Sequence, residues 1–251
     1  MQAEPRAGSV CTSECLYGEP LELLAEKNGY SEVRNVVDSY SGFILSRNTH
    51  KAPPQSFTHK VIVRSSLLLA EPDIKSRVLC RLPLLSLLVL DDEGVGKVAD
   101  DSFWDNTKFG RTVDGYFVIR SHLATADFVL ESDLVTTAAE LFSGAPYVWG
   151  GRTPAGSDCS GMIQSVARLQ GISLPRDSQP QESSLPTVID FKDGRRGDLV
   201  FWTGHVGLPE SADRLYHANA WSMDCRSEPL NDVITRAGTI SSVRRLPAHS
   251  L

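Results

Sequence analysis

No stretch of the chain is apolar enough to cross a bilayer as a helix, and no run of lysine or arginine breaks its acidic balance. The longest apolar run, Leu84 to Leu90, is interrupted by Ser86 and is far shorter than the roughly 20 residues a spanning helix needs. Across 251 residues, 25 Lys and Arg stand against 31 Asp and Glu, a formal net charge of −6. That balance excludes the basic footprint of a nucleic-acid binder. The opening MQAEPRAGSVCTSECLYGEP has neither a positive cluster nor an apolar segment. No secretory signal is read there, and the expectation is a cytoplasmic protein without membrane insertion. Cysteine is scarce. The five present are Cys11, Cys15, Cys80, Cys159 and Cys225; an odd number leaves at least one thiol unpaired, and the spacings match no zinc pattern. No metal and no cofactor are expected. Cys80, among Val78, Leu79 and Leu82, reads as a small buried hydrophobe. Cys159 has different surroundings.

Three blocks follow one another. The first, residues 1–50, has short alternating segments punctuated by turn residues at Asn28-Gly29 and Ser39 to Gly42. Lys51-Ala52-Pro53-Pro54-Gln55 reads as a linker, because adjacent prolines disfavour both helix and central strand. The second block, 57–124, shows β-like runs at His59 to Val63, Val78 to Leu82, Leu87 to Leu90 and Tyr116 to Ile119. Their spacing suits a small β-barrel, interrupted by a longer loop from Asp101 to Phe109.

The third block, 128–251, begins with helices. Ser132 or Asp133 can cap a segment whose apolar residues (Leu134, Val135, Ala138, Ala139, Leu141, Phe142) recur with helical spacing up to Gly144. A second helix carries Met162, Ile163, Val166, Ala167 and Leu169 and stops at Gly171 and Pro175. Strand-like runs come afterwards: Asp198 to Trp202, His205 to Leu208, Arg214 to Ala218 and Ile240 to Leu246. Helices first and strands later indicate an α+β arrangement.

Asp158-Cys159-Ser160-Gly161 lies where a glycine-rich turn hands over to the second helix. In the first turn of a helix, free N–H groups and the dipole favour a thiolate, the reactive form of cysteine. The expectation is a Cys159 pKa drawn toward neutrality. Gly161, costly inside a helix, implies another element packed against it. A nucleophilic sulfur needs a base. Of six histidines only His205 and His217 fall in strand-like segments of the same block. A hairpin turn at Glu210 to Asp213 would set the two directly opposite, close enough for one imidazole to orient the other. The plain alternative is a structural cysteine and two half-buried strand histidines.

The segments GAPYVWGGRTPAGSDCSGMIQ, LPRDSQPQ, GDLVFWTGHVG and LYHANA together resemble the NlpC-type cell-wall cysteine peptidases. The resemblance implies a papain-like domain, with helices packed on an antiparallel sheet. The two earlier blocks look like bacterial SH3-like barrels, and LYGEPLELL with GFILS is similar to the first barrel of two-barrel members. By position, Cys159 matches the nucleophile, His205 the general base and His217 the orienting third member. Tyr147 matches an active-site tyrosine near the oxyanion. Asp158, Ser160 and Ser178 match substrate contacts. Arg176 is expected to pair with a substrate carboxylate, and Asn219, two after His217 and so on the same strand face, is expected to have a lesser accessory role. Glu19 and Tyr40 match the first-barrel residues that read a free amino end. Three features depart from the pattern: LPLLSLL lacks the usual turn glycine, Asp101 to Phe109 looks inserted, and Pro209 stands where relatives continue the strand.

The implied activity is hydrolysis of the γ-D-glutamyl-diamino acid bond in peptidoglycan stem peptides. The implied partners are muropeptide fragments with a free N-terminal L-Ala, as in wall recycling. A catalytically silent fragment binder, or an amidase or acyltransferase on the same fold, are the alternatives.

Overall fold

The computed structural model describes residues 1–51, 53, 55–91 and 108–247. Residues 52 and 54 of the expected linker lie outside these, as do residues 101–107 of the expected loop. The chain packs into two compact units. One comprises Met1–Cys15, Pro20–Thr49 and Val129–Leu251; the other comprises Leu16–Glu19 and His50–Phe128.

In the first unit, strands Leu21–Lys27, Tyr30–Asn35 and Ser41–Leu45 form an antiparallel meander. The hairpin between the first two turns on Asn28 and Gly29, both at positive φ (55° and 77°). This is the backbone that a two-residue turn needs to follow the right-handed twist of its strands. In Tyr30–Asn35 every second residue is buried, so one face of the meander is covered and the other meets solvent.

The second unit holds a three-stranded sheet (Leu123–Thr125, His59–Val61, Leu87–Leu88) and a four-stranded one (Val78–Pro83, Ser65–Leu69, Phe117–Ile119, Phe109–Arg111). Val61, Leu68, Leu82, Leu88 and Val118 form its core, with Cys80 packed against it and partly exposed. The region is β-rich, but among the described residues the sheets do not close into a barrel. The missing turn glycine leaves a mark: buried Leu85 takes φ +68° at that turn, a costly conformation for a branched side chain.

The C-terminal part of the first unit is built on a six-stranded antiparallel sheet. Its order is Val188–Ile189, Ser242–Arg244, Leu199–Trp202, His205–Pro209, Arg214–Asn219, Asp224–Pro229. Leu199–Trp202 is buried at all four positions, as a strand covered on both faces must be. Helix α1 (Leu134–Phe142) is capped by Asp133, whose carboxylate accepts from the N–H groups of Val135 and Thr136 at 3.0 Å. Helix α2 (Cys159–Leu169) is buried over nearly its whole length and packs against His205–Pro209 and Arg214–Asn219. α3 spans Ser178–Ser184 and α4 Leu230–Ala237. Leu230 and Val233 of α4 join Val200, Trp202, Leu215 and Val243 in one cluster. The helices and antiparallel sheet expected of the third block are both present among its described residues, in a papain-like arrangement.

Pro209, the departure noted in this segment, stands within the sheet. Its strand is interior, and the proline occupies the last position, paired with Leu215, where its missing N–H interrupts little of the ladder.

Candidate active site

The start of α2 is held by buried polar bonds. Asp158 caps the helix through Gly161 N–H (2.7 Å) and also accepts from Gly150 N–H (2.9 Å). Arg176 grips both its oxygens, Nη1 to Oδ1 at 3.0 Å and Nη2 to Oδ2 at 2.6 Å. The remaining guanidinium donors go to Ser160 Oγ and the Gly151 carbonyl (3.1 Å each), while Nε goes to Ser13 Oγ (3.1 Å). All five N–H groups are therefore used within the protein, and Arg176 is 2% exposed. This corrects the expectation that Arg176 pairs with a substrate carboxylate: it has no donor left to offer. Asp158 is occupied in the same way, and Ser160 Oγ lies between the two, 3.3 Å from Asp158 Oδ1. These residues hold the shape of the site.

Gly161 behaves as its place in the helix implied. A Cβ there would overlap the carbonyl oxygen of Gly151 and press on Arg152, so the short strand Arg152–Thr153 lies directly on α2.

Cys159 is 5% exposed. Burial, with Asp158 beside it, pushes the thiol up to about 11; hydrogen bonds from the N–H groups of Val206 and Ser160, and the Arg176 charge, act the other way. The helix terminus therefore does not bring the resting sulfur to a thiolate near neutrality, because desolvation outweighs it. This corrects the anionic reading. Alkylation by iodoacetamide should accordingly stay slow at pH 7 and accelerate through the alkaline range toward about pH 11. A plateau reached below pH 8, measured by mass spectrometry of the Cys159 peptide, would contradict it.

The Val206 bond sets the sulfur against the strand that begins at His205. His205 Nε2 lies 2.8 Å from His217 Nδ1, with ring centroids 5.0 Å apart at 67°. The two are diagonal rather than opposite. Leu208 pairs with Tyr216 and Pro209 with Leu215, so the register carried back sets Gly207 against His217. The expected register is two residues out, although the 210–213 turn is as read. Gly207 makes the diagonal reach possible: a Cβ there would stand 2.7 Å from Leu215 Cδ2 and 3.2 Å from His217 Cβ. Burial and His217 draw His205 down to about 3, so it is a neutral imidazole at working pH.

One partner was missed in the sequence. His217 Nε2 lies 2.9 Å from Glu228 Oε2, and Arg236 Nη2 donates to the same oxygen at 2.5 Å. Burial lowers the pKa of His217, opposed by Glu228. The Glu228 carboxyl is itself held below its usual range by His217 and Arg236, against its burial. Asn219 Nδ2 is 3.2 Å from His217 Nε2. The only available signal was alternation: 215, 217 and 219 pair with 228, 226 and 224, so Glu228 shares a sheet face with His217.

Tyr147 is half-buried. Its phenol is raised by burial and then by the charges of Cys159 and Asp158, so it lies within electrostatic reach of the sulfur. Tyr40 comes to the same neighbourhood: burial and then Asp177 raise it, and Thr12, Arg176 and Asp158 also act on it. Asp177, not singled out beforehand, is raised by burial, with the Asp158 and Asp38 charges adding and Arg176 opposing. Ser178, half-buried, opens α3. Glu19 belongs to the second unit, where it is 7% exposed and accepts from Leu16 N–H at 3.0 Å. Among the described residues no cluster of His, Cys, Asp or Glu suits a metal ion, and no helix is long and apolar enough to cross a membrane.

Residues 144–242 match the sequence profile of the NlpC/P60 family. The "Dipeptidyl-peptidase 6" of Lysinibacillus sphaericus is 27% identical over 233 residues, covering 87% of this chain and 84% of the relative. The "Gamma-D-glutamyl-L-lysine dipeptidyl-peptidase" of Bacillus subtilis (strain 168) is 27% identical over 230 residues, 84% of this chain and 73% of the relative. Among solved structures, an NlpC/P60 family protein from Bacillus cereus ATCC 10987 superposes with a TM-score of 0.73 at 21% identity, covering 93% of this chain and 81% of that one. That last likeness is one of fold.

Proposed function

Taking residues 144–242 as the NlpC/P60 domain of a cysteine peptidase, we propose that the protein hydrolyses the γ-D-glutamyl-diamino acid bond of peptidoglycan stem peptides. The observation that carries the reading is the imidazole pair at 2.8 Å on the two strands His205–Pro209 and Arg214–Asn219, the first of which also donates its Val206 N–H to the Cys159 sulfur. Two relatives named as dipeptidyl-peptidases, one of them for γ-D-glutamyl-L-lysine, support the class of bond.

Because thiol and imidazole both rest neutral, attack and proton transfer go together. His205 takes the thiol proton as the sulfur adds to the γ-carbonyl carbon. Charge developing on the carbonyl oxygen meets the Cys159 N–H, which the first turn of α2 leaves without an intrahelical acceptor, and the Tyr147 side. The imidazolium then gives its proton to the leaving amine, the C–N bond breaks, and a thioester remains. Water, deprotonated by His205, attacks that thioester and frees the γ-carboxylate and the thiol. His217 holds His205 in place throughout.

A dipeptidyl-peptidase must recognise an amino terminus two residues from the cut. Tyr40 and Asp177 support this in the first unit: Asp177 is a carboxylate whose protonated form is favoured by burial and then by the Asp158 and Asp38 charges, against Arg176, and an ammonium group would favour its charged form. Ser178, in the same unit, is a further candidate. The proposal includes the SH3-like reading of 1–50 and 57–124, the peptidase segment 128–251, and short fragments with free L-Ala as substrates in wall recycling.

The test is incubation with L-Ala-γ-D-Glu-diaminopimelate and its lysine counterpart, following release of L-Ala-D-Glu by mass spectrometry. Native protein should cleave and Cys159→Ala should not. Binding without cleavage would favour the silent fragment binder, and full activity in Cys159→Ala would end the proposal. Blocking the L-Ala amine by acetylation should abolish turnover.

A further inference from the structure

Beyond the three residues assigned above lies a carboxylate to which no role has been given. We infer that Glu228, steadied by Arg236, is a positioning residue that fixes the proton of His217 on Nε2 and thereby leaves His205 Nδ1 bare as the base. The inference rests on the peptidase reading for its consequence, though not for its geometry.

Glu228 accepts from Arg236 at 2.5 Å, so it is a carboxylate that can only accept. Its other partner, His217 Nε2 at 2.9 Å, must therefore carry a hydrogen. A neutral imidazole has one N–H, so His217 Nδ1 bears a lone pair. That lone pair faces His205 Nε2 at 2.8 Å, which must then be the donor. The single proton of neutral His205 is thereby placed on Nε2, and Nδ1 is the nitrogen left to receive the thiol proton. Each assignment follows from the one before it, and the chain begins at the carboxylate.

Asn219 shows what Glu228 prevents. Its Oδ1 is engaged by Trp221 N–H (3.1 Å), Ser222 N–H (2.9 Å) and Ser222 Oγ (3.0 Å). Its amide nitrogen is therefore turned toward His217 Nε2 at 3.2 Å and Glu228 Oε2 at 3.5 Å. Without the carboxylate, that amide becomes the nearest partner and can only donate. It would select a bare Nε2 on His217, move the proton to Nδ1, and force His205 to accept on Nε2. His205 would then hold its own proton on Nδ1, the nitrogen needed as base. Arg236 is in turn held over the Trp221 ring, 5.4 Å from its centroid.

The experiment has two arms. Nitrogen-15 spectra of the imidazoles in the full chain should show both His205 and His217 protonated on Nε2 in the native protein. In Glu228→Ala, both should shift toward Nδ1. With the tripeptide substrate, Glu228→Ala should lose about a hundredfold in kcat with KM changed less than about twofold. Glu228→Gln, which keeps size and can still accept through its oxygen, should recover part of both. An Nδ1 proton on native His205, or tautomers and kcat unchanged in Glu228→Ala, would overturn the inference. The spectra need no turnover, so an absence of peptidase activity in the native protein would sink the proposed function and leave this assignment to be judged on its own.

Discussion

His205→Gln is expected to lower kcat for the tripeptide by about a thousandfold, since it removes the group that must take the thiol proton. In many thiol enzymes a resting thiolate retains some reactivity without its base. Here burial keeps Cys159 protonated up to about pH 11, so neutral conditions offer almost no anion to fall back on. The residual rate of the variant should therefore rise with pH, while the native rate should be nearly flat from mildly acid to mildly alkaline pH. A variant whose remaining activity is independent of pH would contradict a protonated resting sulfur. The same substitution should change acid stability in a defined sense. His205 titrates at about 3 in the fold against 6.5 as its ordinary value, with burial, His217 and Arg236 holding it down and Glu228 opposing them. Between those pH values the unfolded chain binds the extra proton, so stability falls as pH drops below about 6.5. Removing the imidazole should make that fall shallower in urea titrations at pH 4 to 7.

Arg176→Met should destabilise the first unit by about 3–5 kcal/mol, the usual consequence of leaving one member of a buried ion pair without the other. Asp158 would keep the Gly161 and Gly150 N–H groups but lose both guanidinium contacts. Urea melts of the full chain measure the effect, and adding Asp158→Asn should recover part of it by removing the stranded charge. If the arginine instead served the substrate, Arg176→Met would raise KM steeply with the melt unmoved. The five donors already engaged argue for the first outcome.

Local chemistry was legible in the sequence, and distant chemistry was not. Asp158-Cys159-Ser160-Gly161 announced a helix start, and the structure has it capped and crowded at the residues that implied it. Asp133 as the α1 cap and the turn at 210–213 were likewise readable, because each depends on neighbours a few positions away. The His205–His217 partnership was foreseen, but its register was off by two residues. Counting to the middle of a turn assumes symmetric strands, whereas Gly207 lets the imidazoles meet diagonally. Glu228 left no motif: it lies on a polar strand that follows no apolar alternation, although α4 behind it carries apolar Leu230, Val233, Ile234 and Ala237 at helical spacing. Nor could spacing foretell that Arg176 is consumed by Ser13, Gly151, Asp158 and Ser160, since its partners are as much as 163 positions away.

The same distance has a meaning for biosynthesis. Glu14 receives the Arg152 N–H at 2.8 Å, and Asp38 receives Gln164 Nε2 at 3.0 Å. These acidic side chains, like Ser13, leave the ribosome more than a hundred residues ahead of the groups they satisfy. The opening segment must wait, solvated and incomplete, while an entire intervening unit is made. A version cut to begin at residue 129 would be born with two buried arginines and a glutamine facing water where Ser13, Glu14 and Asp38 should be. Nascent-chain protease protection of the first fifty residues should therefore arrive late, after α2 and the Arg176 segment have cleared the tunnel.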